Sequence, residues 1–143
     1  MTRVTLPMPR FPKLWFAFTL LASLPALCLA QDFKTYPGAK LDETSSHAAS
    51  QADPSKQSDV YLTNDPFDKV YAFYKALYPE HTMRTPPPKA PTGQQIKWAF
   101  FLVDGAKSLT TSKYWMKVQR PYVGGGDDKD VRDVTVIQTV HSK

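Results

Sequence analysis

The sequence has only one cysteine, Cys28, and it lies inside an apolar stretch at the amino terminus. Without that stretch the chain has no thiol and forms no internal disulfide, although exported proteins often contain disulfides. The fold must then depend on its hydrophobic core. About 113 residues would remain, which is enough for one domain and too few for two ordinary ones.

Acidic residues are absent from the first thirty positions, where Arg3, Arg10 and Lys13 are the charged side chains. The apolar run Leu14 to Leu29 follows, and this order is typical of a secretory signal peptide. Its removal takes three of the 18 basic residues and none of the 13 acidic ones, so the net charge falls from +5 to about +2. The high isoelectric point therefore does not indicate nucleic-acid binding, and we expect no nucleic acid among the partners.

Cleavage is predicted between Ala30 and Gln31, because signal peptidase accepts small side chains directly before the cut and at the position of Cys28. Pro25 would end the helix of the apolar run just upstream. Two alternatives stay open: an uncleaved membrane anchor, which needs about 20 apolar residues, and a lipoprotein, which needs a small residue where Leu27 stands. We expect a periplasmic or secreted protein that meets a membrane only through an uncleaved signal.

Motifs for catalysis are also missing from the sequence. It contains no Gly-x-Ser-x-Gly, no P-loop and no Gly-x-Gly-x-x-Gly segment. Its histidines, His47, His81 and His141, are far apart in sequence, and no pair has the spacing of metal ligands. We therefore expect no cofactor and no metal centre. Carboxylates that meet only in the folded chain leave no mark in the sequence, so a small hydrolase-type enzyme is an alternative.

A weak calcium candidate follows three consecutive glycines near the carboxyl terminus. Asp127, Asp128 and Asp130 supply oxygen ligands on a segment that favours a flexible turn. The alternating spacing of a calcium loop is absent, and Lys129 stands among the carboxylates. We favour a solvated hairpin tip over a calcium site.

The segment from Asp65 to Tyr78 has apolar and aromatic residues at helical spacing, which predicts an amphipathic helix. Asp65 is a suitable N-cap, Pro66 suits the first helical position, and Pro79 predicts the end of the helix. Alternation or β-branched and aromatic runs predict strands elsewhere. The predicted strands are Lys40 to Ser45, Asp59 to Thr63, Ile96 to Val103, Lys113 to Arg120 and Val131 to Val140.

These elements predict a single α+β domain over residues 31–143, in the order β-β-α-β-β-β. One amphipathic helix would pack on a mostly antiparallel sheet of about four to five strands. Two stretches are predicted as mobile loops, one near residues 46–57 because it is rich in small and polar residues, and one near residues 81–94. The second contains a proline-rich run that favours polyproline II, either as a stiff linker or as a docking peptide.

Aromatic residues are abundant, and they suggest a candidate binding surface. Trp115, Lys117 and Gln119 alternate onto one face of a predicted strand, and Tyr122 follows it closely. These four residues are the candidate ligand-binding set, for an envelope protein, a glycan or a small apolar ligand. The alternative is that large side chains simply fill a small core that has no disulfides.

Two short motifs resemble a known group of proteins. They are the turn Tyr36-Pro37-Gly38-Ala39 and the helix pattern Asp-x-x-x-Lys-Val-x-x-Phe-Tyr that begins at Asp65. The chain resembles uncharacterised small exported bacterial proteins with these features. That resemblance implies an α+β fold and carries no activity. We therefore expect a non-enzymatic binding or accessory domain of the bacterial envelope, with the enzyme and a subunit that pairs through a sheet edge as alternatives.

Overall fold

The computed structural model describes residues 32–124 and 130–143. Within them, a six-stranded sheet has the order β1-β2-β8-β5-β4-β3, and every neighbouring pair is antiparallel. A two-stranded ribbon, β6 with β7, lies apart from it in the hydrogen-bonding pattern. The elements are β1 (Lys40–Leu41), α1 (Glu43–Ala52), β2 (Lys56–Thr63), α2 (Phe67–Lys75), β3 (Glu80–His81), β4 (Lys97–Leu102), β5 (Tyr114–Arg120), β6 (Tyr122–Val123), β7 (Val131–Arg132) and β8 (Thr135–Ser142).

The α+β class and the mostly antiparallel sheet are confirmed, but the element count and order differ from the prediction. The described chain has a second helix, and its main sheet has six strands rather than four or five. Two of these strands, β1 and β3, have only two residues each. Such short strands give too little alternation to be recognised in sequence.

The predicted amphipathic helix is α2, and it packs on one face of the sheet. Its buried residues, Val70 and Tyr74, contact a core that includes Ala99, Phe101 and Met116. The aromatic face of α2 therefore packs on Ala99 and Phe101 of β4. Trp98, Phe100 and Leu102 alternate with them along the same strand. The two sets point to opposite faces because side chains alternate along a strand.

The start of α2 differs from the prediction by one residue. Pro66 is the N-cap, with ψ of 150°, and does not occupy the first helical position. Asp65 does not cap the helix, because its carboxylate accepts a hydrogen bond from the Tyr36 hydroxyl at 2.6 Å and pairs with Lys69 at 3.0 Å. These two partners lower the pKa of Asp65, the Tyr36 hydroxyl contributing most.

The prediction of a mobile loop near residues 46–57 is wrong over most of that stretch, since Glu43–Ala52 forms helix α1. Asp42 caps the helix by accepting a hydrogen bond from the Ser45 N–H at 3.1 Å. Serine is unfavourable inside an isolated helix because its hydroxyl competes for backbone groups. Here the hydroxyls of Ser46 and Ser50 accept hydrogen bonds from amides of β2, and the Ser46 hydroxyl also donates to the Asp42 carbonyl at 2.7 Å, so the tertiary contact offsets the local preference.

The loop predicted near residues 81–94 is interrupted at its beginning. Glu80–His81 forms β3 and pairs with Phe101 and Phe100 of β4. Further along, the Ala90 N–H donates to the Gln94 carbonyl at 2.8 Å, and Ala90 is buried. Ala90 and Gln94 therefore close a local turn at the end of the proline-rich run, whose mobility stays a prediction.

The predicted strand Val131 to Val140 is two strands, β7 and β8, separated by a turn at Asp133. Arg120 stabilises this turn, with its Nε 2.9 Å from the Asp133 carboxylate and its Nη1 donating to the Asp65 carbonyl at 3.1 Å. Pro121 ends β5, as the sequence predicts. Arg120 thus ties the start of α2 to the turn before β8.

Candidate functional site

The face of the sheet opposite α2 has a lysine at its centre. On β5, Lys117 lies opposite Phe100 of β4 on one side and opposite Gln138 of β8 on the other. The neighbouring row places Gln119 opposite Trp98. We call this surface the Lys117 face, and it consists of Trp98, Phe100, Trp115, Lys117, Gln119 and Gln138.

Three aromatic rings form a row on the β4 and β5 side of the Lys117 face. The ring centroids of Trp98 and Phe100 lie 5.6 Å apart, and those of Phe100 and Trp115 lie 6.0 Å apart. Phe100 is buried, whereas Trp98 and Trp115 are each partly exposed. Ring pairs at this spacing pack favourably, so the row is stiff, and its accessible apolar surface comes from Trp98 and Trp115.

Helix α1 covers the β2 side of the same face and leaves a small cavity beneath it. The cavity has a volume of about 70 Å³, and three of the four residues predicted for ligand binding line it. We call it the Lys117 cavity. Its lining residues are Ser45, Ala49, Val60, Lys117, Gln119, Tyr122, Val123, Val136 and Gln138.

Burial lowers the pKa of Lys117. Removal of water disfavours the charged form of an amine, and a nearby carboxylate would offset that effect. In the described part of the chain, no carboxylate lies within salt-bridge distance of the Lys117 ammonium and no hydrogen bond reaches it. The cavity therefore contains a basic group whose charge the described residues leave uncompensated.

Two of the polar groups beside Lys117 are already engaged. The Gln119 side chain donates from Nε2 to the Pro121 carbonyl at 3.1 Å. The hydroxyls of Tyr122 and Ser45 share a hydrogen bond of 2.8 Å. By contrast, the Gln138 carboxamide has no hydrogen bond within residues 32–124 and 130–143. Lys117 and Gln138 are therefore the two polar side chains of the lining that make no hydrogen bond within the described residues.

Tyr122 forms a wall of the cavity rather than an open surface. It is buried, and the Arg132 guanidinium lies 4.2 Å from its ring centroid. Arg132 also lies 3.6 Å from the carboxylate of Asp42, the N-cap of α1. This arrangement fixes the position of Tyr122 between the ribbon and α1.

The structure places Trp115 beside the cavity and not in its lining. Gln138, which sequence reasoning missed, takes part in the lining. A signal for Gln138 was present in the sequence. The alternation over Val134, Val136, Gln138 and Val140 places one carboxamide in a row of valines, and a polar residue in an apolar row often has a specific role.

The calcium candidate lies mostly beyond what the structure describes. Asp127 and Asp128 lie outside the described residues, and the Asp130 carboxylate pairs with Arg132 at 3.2 Å. No group of three metal-ligating side chains occurs in residues 32–124 and 130–143. The calcium site stays the weaker interpretation of this segment.

The predicted signal peptide, with Ala30 and Gln31 at its cleavage site, also lies outside the described residues. Among the helices that the structure does describe, none is both long and apolar enough to span a bilayer. A scan against protein-family models finds no match, and searches of curated proteins and of solved structures find none either. The resemblance to small exported bacterial proteins therefore stays a prediction.

Proposed function

We propose that this chain is an exported protein of the bacterial envelope, with a non-enzymatic binding or accessory domain that takes a small ligand at the Lys117 face. One observation carries the proposal: the uncompensated Lys117 lines a cavity beneath helix α1, and Phe100 of the aromatic row lies opposite it on β4. A basic group without a partner in a partly dehydrated site costs folding free energy. A ligand that supplies the missing partner would offset this cost.

The enzyme alternative has less support than the binding function. General acid and base chemistry most often uses histidine or carboxylates placed together. The lining of the Lys117 cavity has hydroxyls, carboxamides and one amine, and neither a carboxylate nor a histidine is part of it. These groups are suited to holding a ligand.

The edge-pairing alternative also has less support. The outer edge of β2 is met by β1 and by the hydroxyls of α1, because Ser46 and Ser50 accept from the N–H groups of Val60 and Ser58 at 2.8 and 2.9 Å. At the opposite side of the sheet, β3 pairs with the end of β4. Short outer strands and a partly covered β4 edge give a partner strand less backbone to pair with.

Export is tested by the mass of the protein recovered from the periplasm of an expressing bacterium. We expect a mass that corresponds to a chain starting at Gln31, within a few residues. Retention of residues 1–30 would contradict a cleaved signal. A mass increased by lipid on Cys28 would instead identify the lipoprotein.

Ligand binding is tested by amide and indole NMR spectra of the chain from Gln31, against a small-molecule library that contains acidic, basic and neutral compounds. We expect some compounds to shift resonances of the Lys117 face and to lose this effect in Lys117→Met. Lys107→Met is the matched control, because Lys107 is exposed and lies outside the face. If no compound in any charge class shifts this face, the binding function is wrong.

A further inference from the structure

We infer that the Lys117 face recognises a small amphipathic carboxylate, with the carboxylate in the Lys117 cavity and the apolar body on the aromatic row. This inference rests on the proposed function and names the class of ligand that the same site would take. It follows from charge, size, donor geometry and the character of the neighbouring surface, each of which restricts the ligand independently.

Charge selects an anion. The described lining of the cavity contains one basic group, Lys117, and no acidic one. An electrostatic partner is worth more at a partly dehydrated site than in water. A neutral or cationic group would leave the ammonium without a counter-charge, and a cation would also repel it.

Size selects a small head group. A water molecule needs about 10 to 15 Å³ of such volume, so a cavity of about 70 Å³ has room for a handful of waters. A carboxylate with its first carbon fits this space. A glycan of several rings is larger than this space and would extend onto the aromatic row outside the cavity.

Donor geometry selects a planar group with two acceptor oxygens. Lys117 and Gln138 are directly opposite in neighbouring antiparallel strands, where Cβ atoms are about 4.5 to 5.5 Å apart. Their free ammonium and carboxamide donors can each meet one oxygen of the same carboxylate. Charge-assisted hydrogen bonds of this kind are stronger than neutral ones.

The neighbouring surface selects an apolar body. Phe100 flanks Lys117 on the side away from Gln138, and the partly exposed Trp98 and Trp115 lie on the rows to either side. A ligand anchored at Lys117 therefore meets aromatic rings with the part that leaves the cavity. Flat or aliphatic groups gain from this contact because it removes apolar surface from water.

The experiment compares three matched probes by isothermal titration and NMR: 3-phenylpropanoate, its neutral amide 3-phenylpropanamide, and the cation 3-phenylpropylamine. We expect the acid to bind at the Lys117 face and the amide to bind at least about tenfold more weakly, since the site would lose a charged partner. The amine should show no binding there. Inorganic phosphate serves as an anion without an apolar body, and it should bind more weakly than the acid.

Variants separate the groups that the inference assigns. Lys117→Met should abolish binding of the acid, Gln138→Leu should weaken it, and Lys107→Met should leave it unchanged. Spectra of each variant report whether the fold is intact, so a variant that fails to fold is recognised and replaced by Lys117→Gln. Equal binding of acid and amide, or equal binding by wild type and Lys117→Met, would overturn the carboxylate inference.

The two proposals fail in different ways. If oligosaccharides or neutral compounds from the wider library bind the aromatic row and the acids do not, the carboxylate inference is wrong while the binding function stands. If neither the acids nor any other compound shifts the face, both are wrong.

Discussion

Lys117 shows how a single residue can oppose folding and still suit a ligand site. Since burial lowers its pKa in the folded chain, the unfolded chain binds more protons at any pH between the folded and unfolded pKa values. The cost of this lysine is therefore fully present below its folded pKa. It disappears as the pH rises through the ordinary lysine value of 10.5.

Replacement of Lys117 by methionine should therefore raise the free energy of unfolding at pH 7 by roughly 1 kcal/mol, the order of a desolvation penalty in mutational data. The gain should shrink as the pH approaches 10.5. Urea denaturation of wild type and Lys117→Met at pH 7 and at higher pH measures both effects. Lys107→Met should change little at either pH, and a destabilised Lys117→Met would show that the ammonium has a partner in the fold.

Two buried tyrosines should respond in opposite directions to the loss of a hydroxyl. Within residues 32–124 and 130–143, the buried Tyr74 hydroxyl has only a poorly aligned contact with the Tyr36 backbone, whereas the Tyr78 hydroxyl accepts from the Lys34 N–H at 2.8 Å and donates to the Asp32 carbonyl at 3.0 Å. Burial raises the pKa of Tyr74, so its hydroxyl is neutral at ordinary pH. An unsatisfied hydroxyl costs about 1 to 3 kcal/mol, while a satisfied one contributes about 1 kcal/mol.

We therefore expect Tyr74→Phe to raise the free energy of unfolding by about 1 kcal/mol and Tyr78→Phe to lower it by a similar amount. Thermal or chemical denaturation of the two variants provides the comparison, and each is the control for the other. A loss of stability in both variants would mean that Tyr74 has a hydrogen-bonding partner.

At the scale of elements, helix α1 is a cover for the edge of β2. Ser46 and Ser50 are four residues apart, so both hydroxyls point the same way. Each accepts a hydrogen bond from a β2 amide, and the Ser50 hydroxyl also donates to the Ser58 carbonyl at 3.2 Å. These serine hydroxyls therefore supply hydrogen bonds to β2 that a neighbouring strand would otherwise make.

Replacement of Ser46 and Ser50 by alanine should leave the amides of Ser58 and Val60 unpaired and lower stability by about 1 to 3 kcal/mol for each site. Hydrogen exchange followed by NMR should show faster exchange at these two amides than at strands β5 and β4. His47→Ala is the control, since His47 is exposed on the same helix. Unchanged exchange at both amides would show that the hydroxyls contribute nothing to the edge.

The sequence predicts α2, β4 and β5 well because each has a strong periodic signal. Val70 and Tyr74 recur at helical spacing, and β5 alternates so clearly that the faces of Lys117 and Met116 follow directly. Helix α1 could not be predicted, because its residues are small or polar, show no apolar periodicity and include none that is buried. Its stability comes from contacts with β2 that are distant in sequence, and local pattern contains no information about them.

The candidate site was predictable to a similar extent. Lys117 and Gln119 could be placed on one face from alternation alone, but the cavity depends on α1, which the sequence does not reveal. Tyr122 enters the cavity because the ribbon folds back after Pro121, a turn that no periodicity predicts. The closing wall of the site is therefore a property of tertiary structure.

At the scale of the whole molecule, the two faces of the sheet share the central strands β5 and β8. Met116 is fully buried on the face that α2 covers. The next residue along β5, Lys117, lies on the opposite face. Met116→Ala should lower the free energy of unfolding by about 2 to 5 kcal/mol, as expected for a large core residue. Both faces should then unfold in one transition, and NMR signals from residues on each face would monitor it.

Retention of one face after the other has unfolded would contradict a single cooperative unit. Leu41→Ala is the control, because Leu41 is an exposed large hydrophobic residue on β1 and should cost little. Its transition midpoint should stay close to that of the wild type.

The aromatic row also gives the protein a built-in optical reporter. Of the three tryptophans, Trp15 belongs to the predicted signal, and the other two, Trp98 and Trp115, both lie on the Lys117 face. After export, intrinsic indole emission would therefore come from this one surface. The wavelength and intensity of this emission would change with the exposure of the two indole rings to water. Ligand occupancy of the site could therefore be monitored at micromolar protein concentration without a label.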